Sequence, residues 1–294
     1  MPRKKQALPF SCPKCMCELL TDGHTAVCPL GHSYDKSKYG YYNLLISNTG
    51  GVHGDNREMI LARRAFLSAG YYAPLSEKIS SLAAEHTARG GLLVDVGCGE
   101  GYYTDAIEKT LSEHDNLTRY TAYGTKMDEN EPSFRVAAFD ISKDAVREAA
   151  RRNSRIFYAV ASAYRTPIAD GAASTVTNAF SPFAREELLR ILAEDGVFIM
   201  AIPEREHLFE LKEILYKTPY KNEVKDSFIE GFSLVYDERL TYKMKLSSRD
   251  EVSSLFKMTP YAYRTPREAS ERILSLDALE CTADFHIFVY RKES

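Results

Sequence analysis

Cys12-Pro-Lys-Cys15 and, twelve residues later, Cys28-Pro-Leu-Gly-His32 form two short chelating pairs, C-x2-C and C-x3-H, separated by a loop. Three thiolates and one imidazole at this spacing make a closed tetrahedral zinc site. Such a site leaves no position for water, so the metal is structural and not catalytic. Four of the six cysteines fall in the first tenth of the chain, a clustering that points to metal and away from a secreted disulfide framework. Cys17 and His24 do not complete a properly spaced pair and are left out of the ligand set. A module of about 40 residues is too small to fold on apolar burial alone, so metal binding supplies folding energy.

A second chemical signature starts at Asp95. Leu92-Leu93-Val94-Asp95-Val96 reads as a buried strand, followed by Gly97-Cys98-Gly99-Glu100-Gly101 and a helix-like run from Tyr102. Glycines at the end of such a strand let the backbone approach a ligand closely, in the crevice of a doubly wound sheet. The pattern differs from the dinucleotide fingerprint G-x-G-x-x-G, which disfavours a nicotinamide cofactor. With its acidic start, D-x-G-x-G-x-G resembles the cofactor loop of class I S-adenosylmethionine-dependent methyltransferases. That motif calls for a carboxylate at the end of the next strand to accept the ribose hydroxyls, and Asp140, after Val136-Ala137-Ala138-Phe139, fits. Asp140 stands 140 − 101 = 39 residues beyond Gly101, against about 20 in the standard unit. A polar excursion over residues 113–133 accounts for the excess. Asp128, inside it, is the rival ribose ligand but lacks a preceding apolar strand.

These residues need a frame. Helical spacing runs from Asp55 to Leu67 and from Pro74 to His86; strands are expected over 136–139, 157–161, 174–180 and 197–202, with helices over 142–152 and 186–193. The alternation implies an α/β fold, a Rossmann-like class I methyltransferase domain, closed at one edge by β-rich runs at 232–246 and 281–291. The expected organisation is a zinc-binding, RNA-recognition module at 1–46, a linker with helices at 47–90, and a methyltransferase domain at 91–294. The glycine-rich stretch Asn48 to Gly54 marks the boundary. Asn178-Ala179-Phe180-Ser181-Pro182 echoes the [DN]-P-P-[FY] motif of exocyclic-amine methylation only at Asn178 and Pro182, so that chemistry is disfavoured. A plain strand-to-helix turn accounts for the segment equally well.

Of 294 residues, 44% are hydrophobic and 27% charged, which excludes a disordered tail protein. No apolar run approaches the roughly 20 residues of a membrane span. Pro9, Cys12 and Lys14 interrupt any signal peptide that Arg3, Lys4 and Lys5 could open, so a cytoplasmic location is expected. Net charge is −3, yet residues 1–70 hold nine Lys/Arg against five Asp/Glu, or +4, leaving −7 for the rest. Any polyanion should therefore meet the N-terminal part or local basic clusters. Lys14, Lys36 and Lys38 with Tyr34, Tyr39, Tyr41 and Tyr42 suit phosphate contact and base stacking, and Arg63 and Arg64 add charge. A solvated face over a tyrosine-rich core has the same composition, and the sequence leaves both readings open.

Taken together, these residues resemble the RlmA-type 23S rRNA guanine-N1 methyltransferases. The likeness rests on F-x-C-P-x-C with C-P-x-x-H, on Lys38-Tyr39-Gly40-Tyr41 before Asn43-Leu44-Leu45, and on Ala62 to Leu67 with Ala69-Gly70-Tyr71-Tyr72. Asp95 to Tyr103 and Met258-Thr259-Pro260 complete it. The resemblance implies zinc on Cys12, Cys15, Cys28 and His32, and S-adenosylmethionine on Gly97, Gly99, Glu100, Gly101 and Tyr102, with Asp95 and Asp140 as above. It adds Tyr72 and His207, which the residue types alone would assign to a core and to a helix surface. It also implies 23S rRNA as partner, no membrane, room for a homodimer, and N1-methylguanine in a domain II hairpin as product. N1 of guanine lies on the Watson–Crick edge, so the base must be unpaired and aligned with the methyl donor. Glu204, Glu206 and His207 lie near the fifth strand's end, but none is assigned as a general base. A small-molecule methyltransferase and a non-catalytic zinc RNA-binding protein are the alternatives.

Overall fold

The computed structural model describes residues 5–46, 54–118, 134–224 and 227–293. Asp128 and most of the 113–133 excursion lie outside the described residues, as does most of the Asn48–Gly54 linker. Five short strands open the chain: β1 (Gln6–Ser11), β2 (Glu18–Thr21), β3 (Thr25–Val27), β4 (Ser33–Asp35) and β5 (Tyr41–Asn43). Helices α1 (Arg57–Ser68) and α2 (Ala73–His86) follow. Then come β6 (Gly91–Val96), α3 (Tyr102–Thr118), β7 (Phe134–Asp140), α4 (Lys143–Arg152) and β8 (Phe157–Val160). Next are β9 (Ala173–Ala179), α5 (Arg185–Ile191), β10 (Leu192–Pro203) and α6 (Phe209–Leu215). The chain closes with β11 (Phe232–Leu246), α7 (Arg249–Met258), α8 (Arg267–Leu274) and β12 (Leu279–Lys292).

β1 to β4 form an antiparallel four-stranded ribbon in chain order. The second sheet has eight strands in the order β11-β12-β10-β9-β6-β7-β8-β5. β10, β9, β6, β7, β8 and β5 run parallel, and β12 and β11 close the far edge antiparallel. Strand order reverses at β6, so the crevice lies at the carboxyl ends of β6 and β9, where this class of fold binds ligands. Doubly wound order finished by an antiparallel pair is the class I methyltransferase architecture. β5 is an unexpected member, since residues 41–43 follow directly on the ribbon yet pair with β8.

Local sequence explains the helix limits. The Asn56 side chain caps α1 by accepting from the Met59 N–H, and Gly70 follows at φ 85, where a side chain is strained. Ser142 caps α4 in the same way through the Ala145 N–H. Alternation along β6 sends Leu93 to one core and Leu92, Val94 and Val96 to the other. The first core is shared with Phe66 of α1, Leu75 and Ile79 of α2, and Ile107 of α3. The second is covered by Leu188 and Ile191 of α5 and by Leu8, Phe10, Leu19 and Ala26 of the ribbon. The ribbon thus does on one face what helices do on the other, and the Ser11 N–H donates to the Pro167 carbonyl at 2.8 Å across the seam. Among the described residues, no helix is long and apolar enough to cross a membrane.

Candidate active site and zinc centre

Two tight turns aim the four ribbon ligands inward. After Cys15, Met16 turns at φ 59 and its N–H donates to the Cys12 carbonyl at 2.7 Å; Gly31, at φ 82, donates to the Cys28 carbonyl at 2.9 Å. Ligand atoms of Cys12, Cys15, Cys28 and His32 lie within 4.8 Å of one another. Cys15 Sγ and Cys28 Sγ are 3.7 Å apart, and His32 Nδ1 lies 3.5 Å from Cys12 Sγ and 3.4 Å from Cys28 Sγ. A zinc tetrahedron has edges of about 3.8 Å between thiolates and about 3.5 Å between thiolate and imidazole. The donor set and these three separations fit a structural zinc. Tyr34 bonds Cys12 Sγ at 3.2 Å through its hydroxyl, and Cys17 and His24 stand outside the cluster.

At the crevice, Gly97, Gly99 and Gly101 have φ of 76, 55 and 81, all in the left-handed region. Their surroundings differ. A Cβ at Gly97 would stand 2.0 Å from the Ser181 hydroxyl, and one at Gly101 would stand 2.8 Å from the Ala149 Cβ. Gly99 faces open space, with only Arg63 Nη1 near at 3.9 Å. Glu100 is buried, its Oε2 held by Arg152 at 2.5 Å, while its Oε1 has no partner among the described residues. An open glycine cradle beside an unpaired buried carboxylate oxygen fits a ligand carrying hydrogen-bond donors, as the ammonium of S-adenosylmethionine does. Tyr102 opens α3 beside Arg152, whose guanidinium lies 5.8 Å from its ring centroid.

The two carboxylates of the motif have different tasks. Asp140 accepts from the Gly99 N–H at 3.0 Å and the Ser142 N–H at 2.8 Å, tying the glycine loop to the start of α4 and leaving further lone pairs for the cleft. Asp95, expected to bind the cofactor, is buried, and its two oxygens accept from the hydroxyls of Thr104 and Thr177. Burial pushes its carboxyl up to about 6. It shares the strand face of Leu93 and so points into the fold, where it joins β6, α3 and β9.

Tyr72 and His207, 135 residues apart, meet behind this loop. The Asp284 N–H donates to His207 Nδ1 at 3.3 Å, so the ring proton sits on Nε2, which faces the Tyr72 hydroxyl at 3.3 Å. Burial lowers His207 to about 3 and keeps it neutral. Phe66, Phe180 and Phe285 complete the aromatic wall around Tyr72. Glu204 bonds His286 at 2.9 Å and Glu206 pairs with Lys221 at 2.7 Å. Each of these three groups therefore already has protein partners.

The basic residues stand on two elements, linked through Tyr39, Arg151 and Glu148. Lys14, Lys36 and Lys38 are exposed on the ribbon side, but Arg63 and Arg64 lie on α1 at the cleft. Arg63 pairs with Asp55 and donates to the Met258 carbonyl at 3.3 Å; Arg64 pairs with Glu148 at 2.6 Å. Tyr41 and Tyr42 are core residues, and Tyr39 remains half-buried. Lys38 and Arg151 lie 5.1 and 4.6 Å from the Tyr39 ring centroid. Beside it, a cleft of about 310 Å³ runs between ribbon and α4, lined by Lys36, Tyr39, Asn153 and Arg155 among others. No sequence signal singled out Arg151 or Arg155, because only the β5–β8 pairing brings α4 beside the ribbon.

Residues 10–48 match the family model described as RlmA, N-terminal, a zinc ribbon. The 23S rRNA (guanine(748)-N(1))-methyltransferase of Streptomyces fradiae is 30% identical over 285 residues, covering 94% of each chain. A Micromonospora griseorubida relative, provisionally named for 23S rRNA guanine-N1 methylation, is 33% identical over 90% of this chain and 89% of its own. Among solved structures, the YcgJ protein of Bacillus subtilis is similar with a TM-score of 0.45 at 12% identity, over 72% of this chain and 97% of that one. With both ribbon and cleft inside the aligned length, the chain belongs to the RlmA-type 23S rRNA (guanine-N1)-methyltransferase family.

Proposed function

We propose that this S-adenosylmethionine-dependent methyltransferase methylates N1 of a guanine in a domain II hairpin of 23S rRNA. Identity to a named guanine-N1 methyltransferase across ribbon and cleft together carries the reading. A small-molecule enzyme has no need of an accessory ribbon, and a non-catalytic binder has no need of the Gly99 cradle. The sulfonium of S-adenosylmethionine supplies an activated methyl when bound. Gly97 to Gly101 and Asp140 hold that donor, with the Tyr72–His207 pair at its back. Cys12, Cys15, Cys28 and His32 hold the zinc that shapes the ribbon, and Lys14, Lys36 and Lys38 meet phosphates. Bound there, the donor would give its methyl to N1 with the electron pair of the broken carbon–sulfur bond staying on sulfur, and the N1 proton would leave to water. No side chain is assigned to that proton, so alignment carries the catalysis. Such a substrate places the enzyme in the cytoplasm.

The test is methyl transfer from radiolabelled S-adenosylmethionine to protein-free 23S rRNA, set against a metabolite extract. Label should enter the rRNA alone, and reverse transcriptase should stop one nucleotide before the modified base. That stop should vanish on gene deletion and return with the intact gene but not with Gly99→Asp. Label in the extract and none in rRNA would refute the reading.

A further inference from the structure

Phe180 belongs to neither the zinc centre nor the glycine cradle, yet it stands beside both strands that form the crevice. It directly follows β9 and has φ 62, a costly backbone for a bulky aromatic residue. Neighbours hold that conformation: its N–H donates to the Ala201 carbonyl at 3.0 Å, and Ser181 packs against Gly97. Despite this constraint, the residue is 41% exposed. Its ring rests against Phe285 at 5.6 Å, Tyr103 at 6.2 Å, Tyr72 at 6.4 Å and His207 at 6.5 Å between centroids. Within this cluster, the buried Tyr103 hydroxyl has no partner among the described residues. A strained, wall-backed, exposed aromatic ring beside a hydroxyl that lacks a partner is a site for a flat ligand with polar edges.

We propose that Phe180 is the platform on which the extruded guanine stacks, with the Tyr103 hydroxyl serving the polar edge of the base. The inference rests on the function proposed above and extends it to how the base is held. A base leaving its helix loses its stacking neighbours, and an aromatic face replaces them without regard to sequence. Methionine and ribose are neither flat nor aromatic, and the adenine of a donor whose ribose is held by Asp140, at the end of β7, lies across β6 from Phe180, which follows β9.

The test uses the full-length enzyme and a domain II hairpin RNA. Wild-type methylation of that RNA is measured first; its absence would defeat the underlying reading and the stacking proposal that rests on it, whereas the variants below bear on stacking alone. Given wild-type activity, Phe180→Ala and Phe180→Leu should lower kcat/KM for RNA by about 10- to 100-fold, while Phe180→Trp stays within about threefold. Calorimetric affinity for S-adenosylmethionine should stay within about twofold in all three, since the ring touches the base and not the donor. A 2-aminopurine at the target position should be quenched on wild type and bright on Phe180→Leu. Tyr103→Phe should cost less than Phe180→Leu. Full activity in Phe180→Leu, or a loss of donor affinity matching the loss of rate, would overturn the proposal. If Phe180→Ala fails to fold, the Leu and Trp pair decides.

Discussion

The zinc ribbon and the glycine-loop cleft hold their functional residues by opposite means. In the ribbon, four ligands within 21 positions converge through two local turns, and the ion supplies the energy that a small core cannot. In the cleft, Tyr72, Gly99, Asp140 and His207 are brought together by sheet order and by the packing of helices on a large apolar core. Metal sites are therefore written into short spacings, whereas a cleft is written into topology. The two regions are not independent, because the ribbon's apolar residues complete one face of the sheet.

Removing the metal should have the largest effect. Structural zinc contributes about 10 kcal/mol or more to small modules, so Cys12→Ser/Cys28→Ser should strip hydrogen-exchange protection from residues 6–35 and abolish rRNA methylation. S-adenosylmethionine should still bind, and the thermal midpoint of the remainder should fall because a sheet face is uncovered. Retained protection in the ribbon would mean that both regions draw their stability from the same apolar source.

Inside the cleft, Asp140→Ala removes the acceptor of the Gly99 and Ser142 amides and should weaken S-adenosylmethionine binding by about 1–3 kcal/mol. Asp95→Asn should leave that affinity within a few-fold, because its carboxylate faces Thr104 and Thr177. Calorimetric titration of both variants sharpens the distinction between a group that faces the ligand and one that positions the loop. The reverse ranking would break it.

A smaller effect, graded with pH, comes from His207. Buried and neutral with its value lowered to about 3, it takes up a proton only on unfolding once the pH drops below the ordinary histidine range. Its contribution is complete above about 6.5 and is lost toward 3, at about 1.4 kcal/mol per pH unit. Denaturant unfolding at pH 7.5 and 5.5 should show a steeper loss for wild type than for His207→Gln. Equal slopes would place the proton elsewhere.

Much of this could be read from the chain alone. Cys12 to His32 and the strand, turn and helix around Gly97 are short-range signals, and Asp140 was legible because Val136 to Phe139 announces a strand. Tyr72 and His207 came only from family likeness: no local pattern links residues that meet through α2 and the end of β10. Arg63 and Arg64 looked like free charge until α1 was docked against α4 and α7, where each gained a partner. Tyr41 to Asn43 is too short for a periodic signal, so its place in the large sheet was invisible.

That short strand also bears on the order in which the molecule is made. Tyr41 pairs with Tyr158, a residue synthesised 158 − 41 = 117 positions later. The ribbon leaves the ribosome before β8, and the strand that follows it, β5, must wait for β8 to gain its partner in the large sheet. During that interval the ribbon's apolar residues have no large sheet to cover, and its order rests on its own strand pairing and on the metal. Metal binding, which supplies folding energy to a small module, would keep this segment compact until the edge it seals has been translated.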